Sequence, residues 1–539
     1  MKRLTFLLLI VLLNACSGKE KADLIVTNAN IYTVNSTFDK AEAFAVKDGK
    51  FLAVGDNNDV LAHYEAHDVM DAQGKTILPG FIDAHCHFYG LGLNQNRVDL
   101  TGTKSFDDMM KRVLDFQNTH HAKFIIGSGW DHNDWEEQEF PDNKLLNVLF
   151  PNTPVALMRI DGHAMLCNQA ALDLAGITIH TAFERGRIEV ENDALTGILI
   201  DKPMELIKAV YPKPTRQEQI EALLKAQQIC FDYGLTTISD AGLDKDIITL
   251  IDSLQSTGDL SMRVYAMVAN TKENLDYYLT EGPVKTDRLN VRSIKVYADG
   301  ALGSRGAALK KPYSDHHNHY GGLIINQEAF KALAKRVAQS KFQMNTHAIG
   351  DSTNKVVLQT YKEVLNGQQN KRWRVEHAQI LTDNDIQLFK DENIIPSVQP
   401  THATSDMYWA EERLGQERIK NAYVYRDLLK ASGRIALGTD FPVEQVSPFL
   451  TFYAAVSRQD EKGYPEEGFQ KENALSREET LKGMTIWAAY ANFEEQEKGS
   501  IEVGKFADFI VLDKDIMTVP IQQVPKIEVE QTFVGGIKQ

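Results

Sequence analysis

Cysteine is scarce in this chain, with four among 539 residues. Cys16, Cys86, Cys167 and Cys230 are too widely spaced for a disulfide framework or a Cys-x-x-Cys metal pattern, and the last three read as buried thiols. An excess of positive charge is also missing: 58 basic residues face 74 acidic ones, a formal net charge of −16. A nucleic-acid partner needs a basic groove to replace phosphate counterions, and none is visible. The charge reads as a solubility device instead. Low-complexity tracts and internal repeats are lacking, and 43% hydrophobic with 24% charged residues is a globular balance. The conspicuous apolar run, Leu4 to Leu13, is shorter than the roughly 20 residues that span a bilayer.

That run follows Lys2 and Arg3, the order of a secretory leader. It ends in LNAC, which resembles a bacterial lipobox and implies cleavage before a lipid-modified Cys16. On this reading residues 1–15 are a signal peptide and 16–21 a polar tether. The mature chain is then held in the bacterial cell envelope, on the periplasmic or outer-membrane side. Membrane attachment is through the N-terminal lipid only. A plain signal peptide or an uncleaved anchor is the rival.

What the chain does have is punctuated strand pattern. ADLIVTNANIYTVN, AEAFAVKDGKFLAVG and VMDAQGKTILPG near the start match GSIEVGKFADFIVLDKD and VEQTFVGG near the end. Neither end has strands enough to bury a face alone, so 22–80 and 491–539 are expected to form one small β-sandwich domain. Between them, ten apolar runs alternate with amphipathic stretches, which argues α/β with a parallel sheet. Ten is two more than a (β/α)8 TIM-like barrel needs. Counting back from RIALGTDFP makes GLTTISDAG the second strand. The barrel then covers 81–490, with an insertion after strand 1 over about 90–214.

Candidate chemistry sits at the ends of these runs. His85 and His87 in FIDAHCHFYG share one strand face. Lys295 lies in RSIKVYADG, His347 in FQMNTHAIGD, His377 in WRVEHAQI and Asp440 in RIALGTDFP. Taken singly, each is an ordinary polar residue. Together, at the strand ends where barrel enzymes gather their catalytic groups, imidazoles and carboxylates suit zinc and neighbouring divalent ions. Lys295, between Ile294 and Val296, should point into the barrel, where desolvation opposes its charge. HHNHY (His316, His317, His319) reads as a solvated loop.

The motifs DLIVTNANIYT, LPGFIDAHCH, GSGWDHNDW, DGHAMLCNQAAL, KVYADGALGSR, THAIGD, RVEHAQ, LGTDFPV and GKFADFIVLD, in this order, resemble the amidohydrolase superfamily. The likeness is to the YtcJ-like branch (amidohydrolase family 3) that includes N-substituted formamide deformylase. The resemblance implies two divalent metal ions, zinc the first choice, with N/O ligands leaving other metals open. It makes His85, His87 and Asp440 ligands of one ion and His347 and His377 ligands of the other. Lys295 would be carboxylated, bridging both as a carbamate. The implied activity is hydrolysis of a non-peptide carbon–nitrogen bond in a small amide-like substrate, N-formyl or cyclic amides included. The attack would come from a metal-bridging hydroxide, with Asp440 as the catalytic base. His163 matches a segment expected to approach the substrate. Trp130, Asp131, Ser304, Arg305 and His402 are further candidate substrate contacts. A phosphotriesterase or lactonase, and a non-catalytic scaffold on the same fold, are the alternatives. Oligomeric state is not legible, and a homodimer is compatible with the reading.

Overall fold

A computed structural model describes residues 19–132, 135–137, 139–160, 162, 164–182, 186–200 and 202–539. Cys16 with the leader, and His163, lie outside them. Eight runs pair in chain order as parallel neighbours: β1 (Phe81–Cys86), β2 (Leu235–Leu243), β3 (Arg263–Ala269), β4 (Leu289–Tyr297), β5 (Gln343–Ala348), β6 (Arg374–His377), β7 (Ile395–Val398) and β8 (Ala436–Leu437). Their residues are nearly all buried, as expected for strands covered by helices on one side and a filled lumen on the other. On β4 the period of two sends Ile294 and Val296 into the large apolar cluster. Lys295 takes the opposite face.

The seam between β8 and β1 has no ladder but is stitched beyond the strand ends. Asp440 N–H donates to His85 O at 2.8 Å, and His87 N–H donates to Phe441 O at 2.7 Å. Asp83 accepts from the Thr439 hydroxyl at 2.7 Å across the same seam. Gly438 makes this approach sterically feasible, because a Cβ there would meet His85 N at 2.6 Å and Asp83 Oδ1 at 2.7 Å.

The two surplus runs lie elsewhere. Ile125–Trp130 and Val155–Arg159 pair in parallel in a separate six-stranded sheet, completed by Val98–Asp99, Ala164–Cys167, Arg187–Glu191 and Ala194–Ile200. Near the termini, a four-stranded sheet is built from residues of the N-terminal part alone: Glu20–Thr27, Ala43–Lys47, Lys50–Gly55 and Tyr64–Asp71. A six-stranded sheet mixes both ends, with Phe509–Leu512 pairing antiparallel to Thr76–Pro79. Phe44, from the first sheet, packs edge-on against Phe509 of the second at 4.9 Å between ring centroids. Arg263, at the start of β3, is joined to this region by a buried bidentate contact with Asp508, 2.6 and 2.9 Å. No helix of the described residues is long and apolar enough to cross a membrane.

Candidate active site

The strand ends bring one set of side chains together. His85 and His87 point their Nε2 atoms at Asp440 Oδ1, 3.6 and 3.2 Å away. Lys295 Nζ lies 3.0 Å from His85 Nε2. The His377 ring sits 5.0 Å from that of His85 and 4.6 Å from that of His347, centroid to centroid. His402, on the short helix Pro400–Asp406 after β7, brings its Nε2 to 3.8 Å from Asp440 Oδ2. All six proposed ligands therefore meet at the C-terminal mouth of the barrel, with His402 beside them. Asp440 and His377 hold left-handed backbone angles, φ +63° and +71°. Such angles in non-glycine residues carry of order 1–3 kcal/mol of strain and gather at functional sites.

Burial sets the charge states. It pushes His85 down to about 4, with Lys295 nearby adding to the effect, and His347 to about 3 for the same two reasons. Burial and the His347 ring hold His377 well below its ordinary value. The imidazoles are thus neutral at pH 7, with lone pairs available. For Asp440, burial opposes ionisation, but His87, His85 and His377 overcome it and hold the carboxyl well below the usual range. Lys295 is brought down to about 8 by burial. It is 1% exposed and makes no ion pair with a carboxylate among the described residues.

Several supporting residues escape a reading by residue type. Glu376, directly before His377, accepts from His85 Nδ1 at 2.5 Å and is 2.7 Å from Arg374 Nε. Gln399 Oε1 lies 2.7 Å from His377 Nδ1. Asp299 accepts from the N–H groups of Ala308, Ile349 and Gly350 and from the Thr353 hydroxyl, and its Oδ1 is 3.5 Å from His347 Nε2. Glu376 and Asp299 lie inside the motifs RVEHAQ and KVYADG, so motif membership was the available signal.

Other expected substrate contacts have partners within the chain. Trp130 is fully buried in the insertion's core beside Trp135, its indole N–H donating to Leu157 O at 2.8 Å, so it lines no open mouth. Asp131 is paired with Arg159 at 2.6 Å. Arg305 is committed to Asp315 at 2.7 Å rather than left open for a substrate anion. Ser304 donates to Ala301 O at 3.3 Å within its own loop. Residue type alone does not reveal such intramolecular partners.

The donor set fits a divalent cation. One ligand atom from each of His85, His377 and Asp440 lies within 4.8 Å of the others, all three residues buried. Among the described residues His347 Nε2 and His402 Nε2 are buried without a hydrogen-bond partner, and Asp440 Oδ1 faces the Nε2 atoms of His87 and His85 at 3.2 and 3.6 Å. Buried polar atoms are rarely left so, and two nitrogens with a carboxylate oxygen are what zinc and its neighbours accept.

Comparison with known proteins agrees with the geometry. The chain is 32% identical to the protein LONG AFTER FAR-RED 3 of Arabidopsis thaliana, covering 96% of this chain and 91% of that one. It is 29% identical to YtcJ of Bacillus subtilis (strain 168), over 94% and 97%. Identity with the N-substituted formamide deformylase of Arthrobacter pascens is 27%, over 96% and 98%. An uncharacterized metal-dependent hydrolase from Pyrococcus horikoshii OT3 superposes with a TM-score of 0.78 at 28% identity, over 92% of this chain and 99% of that one. The amidohydrolase family model matches residues 68–537, and the chain belongs to that family.

Proposed function

We propose that the protein hydrolyses a non-peptide carbon–nitrogen bond of a small amide, N-formyl and cyclic amides included. The carrying observation is the buried convergence of neutral histidines with an ionised Asp440 around a buried lysine that has no carboxylate at ion-pair distance among the described residues. His85, His87 and Asp440 would hold one divalent ion, zinc by preference, and His347 and His377 a second. Lys295 would serve as its carbamate: the uncharged amine would add to carbon dioxide with loss of a proton and so offer an anionic oxygen ligand. This reading removes a desolvated ammonium, which is otherwise costly to bury. When bound, the ions supply a water of lowered pKa and polarisation of the substrate carbonyl.

The chain's own residues do the rest. Asp440 accepts the proton of the attacking water and returns it to the leaving nitrogen, as general base and then acid. His402, beside Asp440 and without a hydrogen-bond partner for Nε2 among the described residues, is placed to meet a polar group of the substrate. His163 is retained as a further candidate for the same task. The deformylase relative supports an N-formyl substrate. We also propose that 22–80 and 491–539 form one β-sandwich module on the barrel. Removal of the leader 1–15 would leave a lipid-modified Cys16 that tethers the whole to the bacterial envelope.

A turnover screen decides among hydrolases: N-formyl amines, acyl amides, lactones and paraoxon, run with metal analysis of the purified protein. Activity on an amide with up to two equivalents of metal is expected. Turnover of the phosphotriester alone would replace this reading, and metal-free protein without any turnover would favour a scaffold.

A further inference from the structure

The lumen beneath the histidines is filled by a continuous polar chain. Asn492 follows the helix Ile486–Ala491, which packs against β1 and β8 near the barrel floor. Its Nδ2 donates to Ser239 Oγ at 3.0 Å, and its Oδ1 accepts from Arg374 Nη1 at 3.2 Å. Arg374 Nη2 donates to Ser397 Oγ at 2.8 Å, to Ala84 O at 2.5 Å and to Glu376 Oε2 at 3.1 Å. Glu376 in turn reaches His85 Nδ1 at 2.5 Å. His85, Arg374, Glu376 and Asn492 are all 0% exposed. No water competes for these bonds, so each group's orientation is dictated by the next.

We propose that Glu376, held by Arg374 and Asn492, is a positioning residue that fixes His85 with its proton on Nδ1 and its lone pair on Nε2. Neutral imidazole carries one N–H, and a carboxylate can only accept. With Glu376 Oε2 against Nδ1, the proton belongs there. Nε2, facing Asp440 and Lys295, is left as the donor atom a cation needs. An acceptor behind a ligating imidazole fixes both tautomer and ring angle. Three contacts carry this beyond one hydrogen bond. Arg374 grips both Glu376 oxygens, Nε to Oε1 at 2.7 Å and Nη2 to Oε2 at 3.1 Å. Ser397 and Ala84 O fix the Arg374 fork, and Asn492 anchors it to the floor. A residue on the barrel floor is thereby coupled to the cation site.

This inference rests on the metal centre proposed above, and the experiment separates the two. Zinc alone is titrated into metal-stripped protein against a competing chelator, and the His85 tautomer is read by long-range proton–nitrogen NMR of the same samples. Glu376→Ala should weaken zinc binding by about 10- to 100-fold and release His85 from its single tautomer. Glu376→Gln, which keeps an acceptor for Nδ1–H, should lose less. Asn492→Ala should shift both readouts in the same direction as Glu376→Ala. Folded variants with unchanged zinc affinity and an unchanged tautomer would overturn the proposal. If Glu376→Ala does not fold, Glu376→Gln and Asn492→Ala decide it. Wild-type protein that binds no zinc would sink the metal centre, while the tautomer readout would still decide the role of Glu376.

Discussion

Lys295 concentrates the chemistry of this molecule in one side chain. It sits in the lumen because β4 alternates, sending Ile294 and Val296 to the helices and the lysine inward. An ammonium there touches the His85 ring and the face of Tyr297, 4.8 Å away, and makes no ion pair among the described residues, with Glu376 and Asp440 favouring its charge against burial. Lys295→Ala should therefore lower turnover by at least about 10²-fold, and added short carboxylates should partly restore it, measured as kcat with and without formate or propionate. Asp440→Asn keeps the shape but not the proton acceptor. Turnover should fall by about 10³-fold or more, with an unchanged circular dichroism spectrum. Either variant at full rate would refute the assigned roles. At this scale the six converging positions were legible in the sequence, because strand-end location and residue type together are informative. Glu376 and Asp299 showed only as members of motifs, since a carboxylate's partners are set by the fold. Arg305 read as available for an anion until Asp315 occupied it.

Among the elements, the seam between β8 and β1 is the least conventional. β8 is two residues long, so two backbone hydrogen bonds beyond its end and the grip of Asp83 on Thr439, not a ladder, hold it against β1. Gly438 lies in that contact. Adding one methyl would press on His85 N and Asp83 Oδ1, neither of which can move without shifting a ligand strand. Gly438→Ala should cost about 1–3 kcal/mol of stability, the scale of overpacking, and weaken metal retention, read by denaturant midpoint and by metal content after dialysis. Counting strands from the last run backward placed the eight barrel strands, since parallel strands buried on both faces read as continuous apolar runs. The insertion's antiparallel strands Arg187–Glu191 and Ala194–Ile200 escaped that count. The former is exposed over much of its length, and RIEVE offers no apolar run to find.

For the molecule as a whole, the barrel and the terminal sheets are joined by an ion pair that water does not reach. Arg263 and Asp508 are 3% and 4% exposed. Removing one partner strands a buried charge, which costs about 3–5 kcal/mol. Asp508→Ala should lower the unfolding midpoint accordingly, whereas replacing both residues with apolar ones of similar volume should recover much of the loss. Equal midpoints for wild type and Asp508→Ala would show that the pair bears no load. The order in which this architecture is assembled has a consequence of its own. Thr76–Pro79 is synthesised long before its antiparallel neighbour Phe509–Leu512, with the barrel strands between them. Throughout the interval, Phe44, Phe51 and Ile77 have no Phe509 or Val511 to cover them. A chain cut short before Phe509 would leave the apolar side of its N-terminal strands uncovered, and such products belong to chaperones and proteases.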